Sequence, residues 1–435
     1  MIIAAVGIIA TFLLTVIVAR TLNARDTATF FGILAALPVG SIVGRVGLGA
    51  NIVRLIPSEP DHKIQRIIAG THLRATVLMT LPTAPIISFC ATAGLLGHGN
   101  FPGAFLLTTA MVFIESVRMM LSDIFSAFGL VFASVATTHY VRSAVVLPVV
   151  TIVTALSPHP TLSQMLVSYS LVALIQVIIA LIAGRTDIAF MHAPGIASLR
   201  AVIASGLRLF SLELTAFLIV AGTIWLANST LSAYDARHYG VATTIATQVT
   251  ILEGLAATAV LPPAARLWAA NRKQEVIRML SNLATVNTTI TVSVVVVLIF
   301  CGGFALTLAY GPSLRDANLL LVILAIGGIP QAALSVNTSL LIIAGRINEV
   351  CRTALIVLTL VVPSAIAAVV WGGATALAIV SACGLSALYI GEWLTARRVL
   401  DETPLPHVRV LTAARELASE ASHADAESNL KDLPS

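Results

Sequence analysis

The stretch TFFGILAALPVGSIVGRVGLGANIV, Thr29 to Val53, decides how the chain is read. It is apolar and long enough to cross a bilayer, which takes about 20 residues, yet it carries an arginine, Arg45, near its middle. A charge at the centre of a membrane helix costs roughly 2.5 to 3.5 kcal/mol on insertion scales, so such groups face a bundle interior or a watery cavity. A second stretch, HYGVATTIATQVTILEGLAATAVLP from His238 to Pro262, repeats the layout with one charge, Glu253. Gly32 to Arg45 and Gly240 to Glu253 are both thirteen residues apart. The chain reads as an internal duplication.

Working outward, apolar runs recur from end to end of the 435 residues, 58% of which are hydrophobic and 10% charged, with mean hydropathy +0.97. Twelve runs are long enough to span: 2–19, 28–53, 67–92, 103–128, 134–156, 163–183, 203–227, 238–262, 282–308, 317–344, 352–371 and 373–396. The fold class is therefore an all-α integral membrane protein of about twelve transmembrane helices. A β-barrel would alternate apolar and polar residues over about ten positions, and this sequence does not. Residues 1–19 lack a basic n-region and a cleavage site, and are expected to be retained as a span. Cys90, Cys301, Cys351 and Cys383 are scattered with no CxxC pair, as free thiols would be.

The net charge of +5 and pI near 9.3 follow topology rather than a nucleic-acid surface. With the N-terminus inside, the even-numbered loops and the last helix end hold fourteen basic side chains, Arg142 and Arg346 among them, against Arg20, Arg25, Arg237 and Arg315 in the odd-numbered loops. That asymmetry places both termini in the cytoplasm. Trp225, Tyr234, Tyr310 and Trp371 fall at expected outer ends, as an aromatic belt would place them. His139 and His159 read as loop residues without a metal partner.

Within the second span, Pro38 predicts a kink, Ser41 and Gly49 share the face of Arg45, and Gly40 with Gly44 forms a GxxxG suited to close packing. The fourth span is the most polar. Glu115, Arg118, Ser122 and Ser126 lie at offsets 0, 3, 7 and 11, one helical stripe that should face inward, with Asp123 to one side. Glu115 and Arg118 are spaced to pair at i, i+3. The tenth span echoes the fourth: Gln331 precedes Gly345 by fourteen residues, as Glu115 precedes Gly129, and Gln331, Ser335 and Thr338 form a polar stripe. Helix seven adds Glu213. The basic link at 184–200 divides an N-terminal six-helix lobe, 1–200, from a C-terminal one, 201–398, around a central cavity. Six is even, so both halves enter from the same side as a parallel repeat. Residues 399–435 form a polar cytoplasmic tail, with a short helix near 408–421 and otherwise disordered.

Three stretches carry a family resemblance: VARTLNARDTATFFGILAALPVGSIVGRVGLGANIVRLIP (18–57), RHYGVATTIATQVTILEGLAATAVLPPAARL (237–267) and LAYGPSLRDANLLLVILAIGGIPQAALSVNTSLLIIAGR (308–346). Together they resemble the polysaccharide or oligosaccharide (lipid-linked O-antigen type) flippases of the multidrug, oligosaccharidyl-lipid and polysaccharide exporter superfamily. The chain departs from that family in its first outer turn, NARDTATFFG where GPEEYG is usual, and in its longer tail. The resemblance implies a V-shaped bundle of two lobes that alternates access and moves a polyprenyl-pyrophosphate-linked glycan from the inner to the outer leaflet of a bacterial cytoplasmic membrane. The partners it implies are that lipid-linked glycan, membrane lipids and the glycan polymerase or glycosyltransferases of surface polysaccharide synthesis. No cofactor or metal is implied.

The residues fit that reading in their own right. Guanidinium matches phosphate oxygens in bidentate geometry, so Arg45 and Arg118 are candidates for a pyrophosphate headgroup. Glu115, Asp123, Glu213, Glu253 and Gln331 complete the candidate set, as groups that orient the arginines, bind sugar hydroxyls or carry a coupling proton. A substrate of charge near −2 leaving a negative interior gains roughly 4 to 5 kcal/mol per 100 mV, so the membrane potential alone can drive it. The rival readings are a cation-coupled drug or metabolite exporter of the same superfamily, a membrane glycosyltransferase or polymerase, and a non-transporting scaffold of a polysaccharide assembly complex. The absence of a P-loop, a Rossmann fingerprint and HExxH leaves ATP hydrolysis, redox chemistry and zinc proteolysis without support.

Overall fold

In the computed structural model, which describes residues 2–189, 196–400, 402–410, 412, 413 and 416, the apolar runs fold as helices joined by short turns. In chain order they are α1 (Ile2–Thr21), α2 (Ala24–Arg45), α3 (Leu48–Ser58), α4 (His62–Thr92), α5 (Phe101–Ala127), α6 (Val131–Ala136), α7 (His139–Leu156), α8 (Leu162–Ala183), α9 (Ile196–Thr230), α10 (Ala233–Ala269), α11 (Lys273–Tyr310), α12 (Asn318–Ile343) and α13 (Ile347–Val399). α13 is two helices in line, because Gly373 interrupts it with φ 61° and ψ −149°. With its two arms counted apart and the short α3 and α6 set aside, the helices correspond to the twelve expected spans.

Polar residues fix where helices begin. The Asn23 side chain accepts from Asp26 N at 2.9 Å to cap α2, and Thr161 and Gln164 form a reciprocal capping box at α8. The ends of α5 and α12 are alike. Gly129 and Gly345 both take φ +74°, Leu130 N donates to Phe125 O at 2.9 Å, and Arg346 N donates to Leu341 O at 2.8 Å. These are matching Schellman ends, in which a left-handed glycine lets the chain turn back and satisfy the last carbonyls.

Two expected spans are broken. The run 28–53 is α2 followed by α3, because Val46 and Gly47 take left-handed φ of 48° and 71°. Arg45 is thus the last residue of a helix rather than the middle of one. The run 134–156 is likewise α6 and α7, parted at Thr137 and Thr138. Two aromatic residues expected in an outer belt are buried instead: Trp225 Nε1 donates to Gly32 O at 2.9 Å, and Tyr310 OH lies 2.8 Å from Thr15 Oγ1. Trp371, 86% exposed, sits as a belt residue does.

The chain divides into two compact units, residues 1–241 with 307–314, and residues 242–306 with 315–435. In the first, α2 packs against α4, α5 and α9, α1 against α7, and α5 against α3 and α8. α9, the expected opening of the C-terminal lobe, belongs here: besides the Trp225 bond, Asn228 Nδ2 donates to Ala28 O at 2.9 Å. In the second unit α12 lies along α13, and Ala264, Val276, Leu280, Leu283, Val336 and Leu340 join α10, α11 and α12 in one core.

Candidate functional site

The polar stripe of α5 faces inward from Glu115 through Arg118 to Ser122, while Ser126, expected to continue it, is exposed near the helix end. Glu115 is 5% exposed and Arg118 is fully buried. Arg118 donates from Nε to Glu115 Oε2 at 2.9 Å and from Nη2 to Glu115 Oε1 at 2.6 Å, a two-pronged bond. Its remaining Nη1 donates to the carbonyl of Thr137, in the break between α6 and α7. The guanidinium thus spends its donors on its own helix and on a backbone that no helix bond satisfies. Ser122, one turn on, donates to Ser134 O at 3.1 Å, so the stripe holds α6 against α5.

A third charge enters from α7. Arg142, expected among the basic residues of an inner loop, is 6% exposed and donates to Glu115 Oε2. Its guanidinium carbon lies 4.7 Å from the Tyr169 ring centroid, a cation–π contact from α8, while its Nε is buried without an acceptor. His139, expected in a loop, opens α7 and stacks on Tyr140 with ring centroids 3.8 Å apart. One carboxylate therefore serves two arginines. Sequence reasoning missed Arg142 because α7 starts deep, beside Arg118, and only the break at Thr137–Thr138 signals it.

Arg45 and Asp123 form the second part of the site. Arg45 donates from Nη1 to Asp123 Oδ2 and from Nε to Ser41 O at 3.2 Å. The pair is more open than the first, with side chains 11% and 22% exposed. As the last residue of α2, Arg45 also sits where the helix dipole favours a cation. α3 reaches this pair through Gly49, where an added Cβ would strike both the Asp123 carboxylate and the Arg45 guanidinium. Asp123, placed to one side of the α5 stripe, thereby ties α5 to α2, as does Ser116, whose Oγ donates to Gly40 O at 3.2 Å. Among the described residues, Arg45 pairs with Asp123, and Arg118 and Arg142 pair with Glu115.

The remaining candidates stand apart. Gln331 is half-buried on α12, in the second unit. The side chains of Glu213 and Glu253 lie outside the described residues. A buried acid that sequence reasoning passed over, Glu392 on the second arm of α13, is 4% exposed and accepts from Thr338 Oγ1 of α12. No basic nitrogen among the described residues lies within ion-pair distance of it. Its neighbours Trp393, Arg397 and Arg398 make it look like an interfacial residue in the sequence. A small polar cavity of about 170 Å³ at the start of α2, lined by Arg25, Thr29 and Asn228 among others, is separate from the ionic groups.

No protein-family model matches the chain, and no curated protein does. Solved structures do. An inward-facing multidrug-resistance MATE transporter of the MOP superfamily superposes with a TM-score of 0.71 at 13% identity, over 94% of this chain and 96% of that one. The lipid II flippase MurJ, in an inward closed conformation, gives 0.68 at 12% identity, over 100% and 92%. The eukaryotic MATE transporter AtDTX14 gives 0.65 at 12%, over 96% of both. At such identities the likeness speaks for architecture, and the chain has the helical membrane fold shared by these MOP-superfamily transporters.

Proposed function

We propose that this chain is an alternating-access transporter that flips a polyprenyl-pyrophosphate-linked oligosaccharide from the inner to the outer leaflet of the cytoplasmic membrane, for cell-surface polysaccharide synthesis. The observation that carries this reading is the clustering of three arginines, buried or half-buried, in the first unit, with Arg45 on the more open pair. Guanidinium inside a membrane bundle offers an anionic guest charge-assisted, bidentate contacts. Arg45 is the arm of the network open enough to meet a headgroup. Arg118 and Arg142, held on Glu115, set the local potential. The charge of the pyrophosphate makes outward movement favourable under the membrane potential.

The test is flux of an undecaprenyl-pyrophosphate-linked saccharide in proteoliposomes under an imposed potential, for the natural chain and for Arg45→Ala. Flux that follows the potential and falls at least tenfold in the variant is expected. Flux that persists at zero potential but stops when a sodium or proton gradient is removed would rule out the potential as driving force.

A second reading, a cation-coupled exporter of drugs or metabolites, is favoured by Glu392. An acid this buried, with a hydroxyl as partner, has the character of a protonatable site. Efflux of a lipophilic cation that requires Glu392 but not Arg45 would select this reading over the first.

A further inference from the structure

The described residues beyond α13 stay on the second unit. Leu400 packs on the core of Val276, Leu280, Val336 and Leu340. Residues 402–409 then run without helix along α11. Gln274 Nε2 donates to Glu402 at 2.9 Å, Leu405 N donates to Ser281 Oγ at 3.1 Å, Ser281 Oγ donates to Leu405 O at 2.7 Å, and His407 N donates to Thr285 Oγ1 at 2.9 Å. From Gln274 to Thr285 is about 16 Å of helix at 1.5 Å per residue. From α12, Asn337 Nδ2 donates to Pro404 O at 3.2 Å. The chain then turns back. Glu416 accepts from Arg278 Nε at 3.0 Å and from Asn282 Nδ2 at 2.8 Å, while His407 Nε2 lies 2.9 Å from Asn282 Oδ1.

The groups under this segment are polar residues within long apolar helices. Asn282, Thr285 and Asn337 are 2%, 1% and 0% exposed with the segment in place. A buried amide or hydroxyl without a partner is costly, and water can replace a lost protein partner at nearly equal enthalpy. A cleft with this lining is stable either filled by the segment or filled by water. The filled form also keeps loose ends: Asn337 Oδ1 has no partner, Val408 is 97% exposed, and the Arg278–Glu416 pair lies at the surface, where salt screens it.

We propose that residues 402–410, tied down further by Glu416, are a removable plug, which fills a polar cleft between the start of α11 and the end of α12 and on release admits water to it. The plug restrains those two helix ends against each other, so its release is a point at which the movements of the second unit are regulated.

The test is the rate at which a maleimide labels Thr285→Cys, in a chain whose four native cysteines are replaced by alanine. Three forms are compared: the full chain, the chain ending at Leu400, and the full chain carrying Arg278→Ala with Asn282→Ala. Labelling is expected to be slow in the first, at least tenfold faster in the second and intermediate in the third, with 1 M salt accelerating the first. Equal rates in all three, fast or slow, would overturn the proposal: fast means the segment does not cover Thr285, slow means the cleft closes dry without it. The third form decides the matter if truncation impairs folding. Regulation is read by oxidising a Ser281→Cys, Leu405→Cys pair in proteoliposomes. A fall in flux of at least fivefold, restored by reduction, is expected, and unchanged flux would overturn the regulatory role. Complete absence of lipid-linked glycan flux in every form counts against the proposed substrate, and labelling alone then decides the plug.

Discussion

α5 and α12 end in the same way and carry opposite electrostatic loads. Each turns at a left-handed glycine, Gly129 or Gly345, fourteen residues beyond the position of Glu115 or Gln331. At matching positions α5 has Glu115, Arg118 and Asp123, where α12 has Gln331, Leu334 and Ser339. The first helix is held to α2 and α7 by ion pairs, and the second meets α13 through apolar packing and the Thr338–Glu392 hydrogen bond. The difference teaches that a repeated backbone does not repeat its chemistry. Buried charge is expensive in a membrane, and among the described residues the buried ion pairs lie in the first unit.

The largest effect that would test this contrast is at Glu115. Glu115→Ala leaves Arg118 and Arg142 buried without their carboxylate, and removing one partner of a buried pair costs about 3 to 5 kcal/mol. Thermal unfolding in detergent should show a large loss or no folded protein, while Gln331→Ala should stay close to the natural chain. Comparable losses would erase the distinction between the two helices. Next come the shared glycines. Nothing lies within 4 Å of a Cβ added at Gly129 or Gly345, so alanine at either meets the backbone penalty alone, about 1 to 2 kcal/mol. Equal melting shifts are expected, and a shift at one site only would break the structural equivalence.

A smaller effect is expected at Glu392. Glutamine keeps an acceptor for Thr338 and loses no cationic partner, so Glu392→Gln should change stability by less than about 1 kcal/mol. A loss like that of Glu115→Ala would reveal an ionic role for the second unit. The smallest effect concerns pH at the surface. Hydrogen bonds from Arg278 and Asn282 hold the Glu416 carboxyl below its ordinary value of 4.5. Its contribution is therefore present above that value and lost as the pH falls further, through the lowered one. Labelling of Thr285→Cys, relative to free cysteine at the same pH because only the thiolate reacts, should rise as the pH drops below about 4, a step that Arg278→Ala removes.

Much of this contrast was legible in the chain. The offsets 0, 3 and 7 on α5 gave the inward stripe and the Glu115–Arg118 pair, Ser126 at offset 11 proved exposed, and the fourteen-residue spacing to glycine marked the matching helix ends. The breaks were harder. Gly47 and Gly49 after Arg45 hinted at one, but Val46 in a left-handed conformation is a β-branched residue that no propensity favours there. The break between α6 and α7 has no proline or glycine, so it hid both the depth of Arg142 and its link to Glu115. The membership of α9 depends on bonds across almost two hundred residues, from Trp225 to Gly32 and Asn228 to Ala28, which no local pattern encodes. Glu392 was masked by basic and aromatic neighbours that suit a membrane interface.

What stands or falls here is that the arginine cluster of the first unit receives an anionic lipid headgroup through Arg45. Native mass spectrometry from mild detergent tests it directly, with an undecaprenyl-pyrophosphate saccharide added to the natural chain, Arg45→Lys and Arg45→Ala. A lipid adduct is expected on the natural chain, weaker with lysine because bidentate contact is lost, and weaker still with alanine. An adduct of equal strength in all three, or none on the natural chain beside pH-dependent binding of a lipophilic cation, would contradict it.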